Sequence, residues 1–222
     1  RMRDHRHLLL QFVLALLLPA TSLAAEKPKV RAITAFVRLD RAQYQAQVRD
    51  AVDFLRKARV ACERAGYEVE TVRISTQPFP EYISGLDPQE ALTLLREYDK
   101  LAQKENFDAS IGPAMLNDLD DPRRVEFLGE VLRTTTILNG SVVVAGEDGV
   151  HWSAVRAAAR LMKLLSERTP HSQGNFRFAA AALVPEGTPF YPASYHTGDG
   201  RQFAIALESA NVVSEAFGAS RD

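Results

Sequence analysis

Residues 30–75 read VRAITAFVRLDRAQYQAQVRDAVDFLRKARVACERAGYEVETVRIS, and the change of period within them decides the fold. Residues 30–39 are apolar and rich in β-favouring types, which predicts a strand. Over residues 41–65 the apolar positions shift to helical spacing. Val48, Ala51, Val52, Leu55, Ala58, Cys62 and Ala65 then share one face. Gly66 supplies a helix-ending glycine. Residues 67–75 alternate Tyr, Val, Val and Ile with Glu, Glu, Thr and Arg, a second strand with Arg73 on its polar side. Two strands joined through a helix lie parallel in one sheet.

The alternation continues outward. Thr76-Gln77-Pro78-Phe79-Pro80 reads as a rigid loop. Asp87-Pro88-Gln89-Glu90 announces a helix, with Asp as cap, Pro in the first turn and Glu at the capping-box position. Residues 108–112 predict a third strand, and Asp121-Pro122 opens another helix. Residues 134–145 are β-branched and apolar around Asn139-Gly140, which is either a hairpin turn or a bend at a strand end. A fourth helix covers residues 150–167. Strands over 176–184 and 202–207 flank a long loop, and a last helix begins near Glu208. The expected fold is α/β, with a mainly parallel sheet and helical crossovers in a single domain over residues 26–222. In such sheets ligands favour the carboxyl ends of strands. That rule selects residues 75–78, 112–117, 139–141 and 185–199.

Composition is that of a globular chain, 46% hydrophobic and 25% charged over 222 residues. The formal charge is −1. No basic stripe marks a nucleic-acid partner. The single cysteine excludes an internal disulfide and a Cys-based zinc site. Arg3, His5, Arg6 and His7 precede an apolar run over residues 8–18, then Pro19 and the small residues Ser22 and Ala24 around Leu23. This predicts a signal peptide over residues 1–25, with an uncleaved anchor as the competing reading. Removing its three arginines and one aspartate leaves 24 basic and 27 acidic residues, or −3. The mature protein is then expected to be secreted or periplasmic, with no membrane contact.

Residues 185–201 form the loop with the richest chemistry, containing Pro189-Phe190-Tyr191-Pro192-Ala193-Ser194-Tyr195-His196 and Thr197-Gly198-Asp199-Gly200. Long loops kept by a compact domain are usually functional or disordered, and the aromatics argue against disorder. His196 suits a general base because imidazole titrates near neutrality; the alternative is a loop histidine bonded to a carbonyl. Tyr195 and Tyr191 either donate to a substrate oxygen or pack to hold the loop down. Glu186 and Asp199 bracket the loop. With His196 they are scattered as metal ligands and read more simply as solvated carboxylates, so no metal is assigned. Ser194 lacks the nucleophile elbow of serine hydrolases. Asn139, Gly140 and Ser141 offer amide, hydroxyl and backbone donors to an anion, or make a plain turn. The candidate catalytic residues are His196, Tyr195 and Glu186. The candidate ligand contacts are Ser75, Gln77, Asn139, Ser141, Tyr191, Ser194 and Asp199. The residues identify no cofactor. Cys62 reads as a buried helical residue, and His151 and His171 as surface or cap residues flanking the fourth helix.

Several blocks carry a family likeness: residues 30–34 (VRAIT), 73–78 (RISTQP), 111–114 (IGPA), 134–145, 189–196 (PFYPASYH) and 203–208 (FAIALE). The chain resembles the DUF711 group, also called UPF0210, which has no established activity. The resemblance implies a relative of the pyruvate formate-lyase fold, a ten-stranded α/β barrel made of two parallel five-stranded halves. This chain would supply little more than the first half. A half barrel would expose a sheet edge and an apolar inner face. Either a second half in the natural protein or a second copy in a homodimer would cover them. Glycyl-radical chemistry does not transfer, since Cys62 lies on a helix, and fold does not fix function. The expectation is an exported protein with a small-molecule pocket at the strand carboxyl ends. It acts either as an acid/base enzyme on a small polar substrate, as a non-catalytic envelope binding protein, or as a half-barrel structural subunit.

Overall fold

A computed structural model describes residues 27–220. The leader expected over residues 1–25 lies outside the described residues. The described residues belong to two compact units, Pro28–Ser209 and a second one that holds the helix Ala210–Ala219.

Within the larger unit, strand β1 (Lys29–Val37) leads through helix α1 (Tyr44–Arg64) to β2 (Val69–Thr76), as the period change predicts. Gly66 has φ +81, and the amides of Gly66 and Tyr67 return to the carbonyls of Glu63 and Cys62, closing the last turn of α1. The 76–80 loop contains a one-turn helix, α2 (Phe79–Tyr82). Asp87 accepts from the amides of Gln89 and Glu90 while Glu90 returns to the Asp87 amide, and this capping box starts α3 (Pro88–Glu105). Then come β3 (Asp108–Pro113), α4 (Arg123–Thr134), β4 (Leu138–Gly146), the two-residue β5 (Gly149–Val150) and α5 (Trp152–Arg168). A 3₁₀ segment over Pro170–Arg177 precedes β6 (Phe178–Ala182), so this strand is shorter than the 176–184 run suggests. Strand β7 (Gln202–Glu208) closes the unit, and α6 (Ala210–Ala219) follows in the chain.

Strands β6, β4, β3, β2 and β1 lie side by side and run parallel, while β7 pairs antiparallel with β1 at the edge. The fold is therefore α/β with a mixed, mostly parallel sheet and helical crossovers. An open sheet of five parallel strands is compatible with half of a ten-stranded barrel. Asn139-Gly140 is no hairpin. Both residues lie inside β4, Asn139 in register with Ser110 and Gly140 with Phe178.

The two faces of the sheet differ. Ile33, Ala35, Ile74, Ile111, Leu138 and Val142 point to the helices and join one core with Val48, Leu55, Leu95, Leu128 and Leu165. Strand residues alternate faces, and register partners share one. The other face thus carries Thr34 beside Arg73, and Ser75 beside Ser110 and Asn139. The exposed apolar inner face expected of a half barrel is not found among these residues: Phe36, the register partner of Ser75, shares the face with Thr34, Arg73 and Ser110, and the long loop lies on it and buries them. Exposed apolar side chains do occur on β7, at Phe203, Ile205 and Leu207. Among the described residues, no helix is long and apolar enough to cross a membrane.

Candidate functional site

Residues 183–201 cross the polar face of the sheet and are fastened to strand backbone. The Tyr191 hydroxyl donates to the Ile74 carbonyl at 2.6 Å and accepts from the Ser110 amide at 3.1 Å. Ser194 donates to the Ser75 hydroxyl at 2.8 Å, and its carbonyl accepts from the Ser110 hydroxyl at 2.7 Å. The His196 amide donates to the Thr76 carbonyl at 3.0 Å, so the Tyr-His segment sits at the carboxyl tip of β2. The Tyr191-Pro192 peptide is cis.

His196 is only 2% exposed. Its ring faces that of Phe36, with centroids 5.6 Å apart. Nε2 is buried and has no hydrogen-bond partner among the described residues. Burial lowers its pKa from the ordinary 6.5, and Arg38 acts in the same direction. Glu186, a backbone hydrogen bond with Gly198, and Asp199 oppose the shift. A neutral imidazole results, with one ring nitrogen free. Burial likewise pushes up the phenols of Tyr191 and Tyr195, the latter aided by Glu186.

The other candidates divide sharply. Ser75, Tyr191 and Ser194 are together beneath or within the loop, but their polar atoms hold it in place. Tyr195 donates to the Val184 carbonyl at 3.4 Å, and its own carbonyl accepts from Gly187, so it ties the loop to itself. Gln77 is buried and clamps Leu39, accepting from its amide at 2.9 Å and donating to its carbonyl at 2.8 Å. Asn139 stands at the amino end of β4 rather than a carboxyl end, and its amide donates to the carbonyls of Ile137 and Ala109. Ser141 is buried with an unpartnered hydroxyl. Glu186 is exposed and acts on His196 only through its charge. Asp199 is solvated, 3.8 Å from the Arg38 guanidinium. Among the described residues, no three His, Cys, Asp or Glu side chains are grouped to hold a metal ion.

Sequence reasoning passed over three residues of this face. Arg73 lies under Tyr191, its guanidinium 4.6 Å from the ring centroid, and Nη1 reaches the Pro189 carbonyl at 3.5 Å. Its Nε has no hydrogen-bond partner among the described residues and pairs with the Asp108 carboxylate at 3.8 Å. Thr34, its register partner on β1, is fully buried with an unpartnered hydroxyl. Ser110 carries two of the loop's fastenings. A signal was present, since Arg73 stands on the polar side of a half-apolar strand, but only the tertiary contacts show that the loop covers it. His151 also departs from expectation. It is the N-cap residue of α5, one of the two expected roles, but it is only 5% exposed, bonded through Nδ1 to the Val143 carbonyl and through Nε2 to Asp148 at 2.9 Å rather than lying on the surface.

A separate cavity of about 800 Å³ opens on the helical side, between α1 and the end of β1. Ala51 and Phe54 of α1, Val37 of β1 and Phe203 of β7 form its apolar wall, with Arg38 and Asp199 at the rim. His196 does not line it.

A family model described as "Uncharacterised ACR (DUF711)" matches residues 22–222. A UPF0210 protein of Pyrobaculum islandicum is 34% identical over 152 residues, and UPF0210 protein PAE3581 of Pyrobaculum aerophilum is 31% identical over 153. Each match covers 64% of this chain and 33% of the relative. A UPF0210 protein of Sulfurisphaera tokodaii is 25% identical over 136 residues. The matched stretch thus spans about a third of these relatives' own length.

Proposed function

This chain belongs to the DUF711 family, and on that premise we propose that it holds a small polar molecule under the 185–199 loop, where His196 transfers a proton. One observation carries the reading. His196 is an almost fully buried imidazole at the carboxyl tips of β1 and β2, with Nε2 left without a partner. Buried polar atoms are nearly always paired, and an orphan at a strand tip marks a group kept for a ligand. Burial holds the ring neutral, which is the form a general base needs. Tyr195 and Glu186 support this role indirectly, Tyr195 by closing the loop and Glu186 by its charge.

The test uses His196→Gln, which keeps a polar side chain of similar size. Small polar metabolites are screened by thermal shift against the full chain, and hits are followed for product by mass spectrometry. Turnover lost in the variant, with ligand-induced stabilisation retained, supports proton transfer. Stabilisation without product in the unaltered protein overturns it and leaves a binding protein. The reading also makes the protein exported, on the strength of the basic start, apolar run and small residues within positions 1–25. A reporter fused after Asp222 and recovered only from the cytoplasm would remove that part.

A further inference from the structure

The geometry points to a small carboxylate as the ligand, its carboxyl group held by Arg73 and Thr34 under the loop; this rests on the loop-covered site proposed above. Arg73 is the one cation among the register-paired residues of the polar face described above, and its side chain is only 12% exposed. A guanidinium carries five N–H donors. Among the described residues its one hydrogen bond is the 3.5 Å contact to the Pro189 carbonyl, at the outer limit of such a bond, beside a long ion pair to Asp108 at 3.8 Å. Nε has none. A buried cation so poorly served is costly unless an anion completes it.

Thr34 adds a second waiting donor. It lies directly across from Arg73, fully buried, and its hydroxyl is also unpartnered. Guanidinium and hydroxyl side by side match the two oxygens of a carboxylate. The Pro189 carbonyl oxygen stands in for one of them. The loop's fastenings at Tyr191, Ser194 and His196 all come later in the chain. Between Gly187, whose amide is held by the Tyr195 carbonyl, and Tyr191 lie only residues 188–190, so replacing the Pro189 oxygen moves that short stretch. Asp108 does not already fill the role. At 3.8 Å it is beyond hydrogen-bond reach of Nε, and its side chain is 45% exposed.

The strand sets the ligand's direction. Phe36, which packs on His196, is two residues beyond Thr34, a rise of roughly 6.6 Å at about 3.3 Å per residue. A short aliphatic acid seated at Arg73 extends along β1 toward the imidazole.

The experiment titrates the full chain with lactate, succinate and glutarate, and with the amide of each. Thermal shift and the His196 ring resonances are followed together. At least one acid should raise the melting temperature and move the His196 signals, with its amide binding at least tenfold more weakly. Arg73→Gln should remove that preference, while Arg73→Lys, which keeps the charge but not the fork, should retain part of it. Circular dichroism checks that both variants fold. Acids and amides binding equally, or an acid preference that survives in Arg73→Gln, overturn the carboxylate assignment while leaving the loop site standing. No stabilisation and no His196 response with any of the acids overturns the carboxylate assignment alone, because the loop site is tested by the wider screen of polar metabolites.

Discussion

Ser194 and Ser75 meet hydroxyl to hydroxyl at 2.8 Å, 119 positions apart in the chain and fully buried. Beside them the Ser110 hydroxyl reaches the Ser194 carbonyl, so three serines from two strands and the loop form one closed group. Replacing Ser194 with alanine leaves the Ser75 hydroxyl without a partner. A loss of about 1–2 kcal/mol is expected, with faster amide exchange across residues 185–201. Unchanged exchange in that stretch would show that the pair does not hold the loop.

Tyr191→Phe should act more strongly on the same loop. It removes the bond to the Ile74 carbonyl and strands the Ser110 amide, a buried donor. Loss of stability of about 1–3 kcal/mol is expected. Protection of the Ser110 amide against hydrogen exchange should fall with it; a Ser110 amide as slow as before would contradict the assignment.

Gly112 is where the chain needs a glycine for two reasons. Its φ is +72, and an added Cβ would sit 2.9 Å from the Gln77 carbonyl oxygen. Gly85 has φ +79 but open space around it. Gly85→Ala should therefore cost about 1 kcal/mol, the conformational part alone, while Gly112→Ala should cost clearly more. Denaturant unfolding of both variants compares them, and equal losses would refute the close-approach argument.

Asp99 is 4% exposed and accepts from the amides of Thr136, Ile137 and Leu138 and from Gln103. It fixes the start of β4 from α3. Asp99→Ala leaves these donors unserved and should cost about 2–4 kcal/mol, measured by thermal or urea unfolding. A loss below about 1 kcal/mol would mean that water replaces the carboxylate readily.

Two histidines should give opposite pH responses. His151 has its pKa raised, first by the Asp148 hydrogen bond and then by the Val143 carbonyl. Its contribution is fully present below the unfolded value near 6.5 and is lost as pH rises through the folded pKa. His196 has its pKa lowered by burial, so the unfolded chain binds more protons, and stability falls as pH drops below about 6.5. Histidine titrations by NMR should place His151 above and His196 below a free imidazole, and Asp148→Asn should bring His151 down. The reverse order would contradict both environments.

Much of the frame was legible from the chain alone. The 2-to-3.6 change of period located β1, α1 and β2, and the Asp87 capping box marked the start of α3, because these signals are local. The Asn139-Gly140 dipeptide was ambiguous for the converse reason. A turn pair and a strand interior differ only in whether neighbours bond to it, and β3 and β6 both do. The loop was found by its composition, yet most of its polar side chains proved to be fasteners, which composition does not reveal.

The order of amino acids by itself determined where strands and helices alternate, and hence that the sheet is mainly parallel, since backbone periodicity and capping act over a few residues. Only the tertiary structure decided which polar groups are left over. Whether Ser75 is bonded and Thr34 is not depends on residues more than a hundred positions away, laid across the sheet by the loop. The same packing leaves the His196 Nε2 and the Arg73 Nε unpartnered, because long-range register decides which buried donors and acceptors meet.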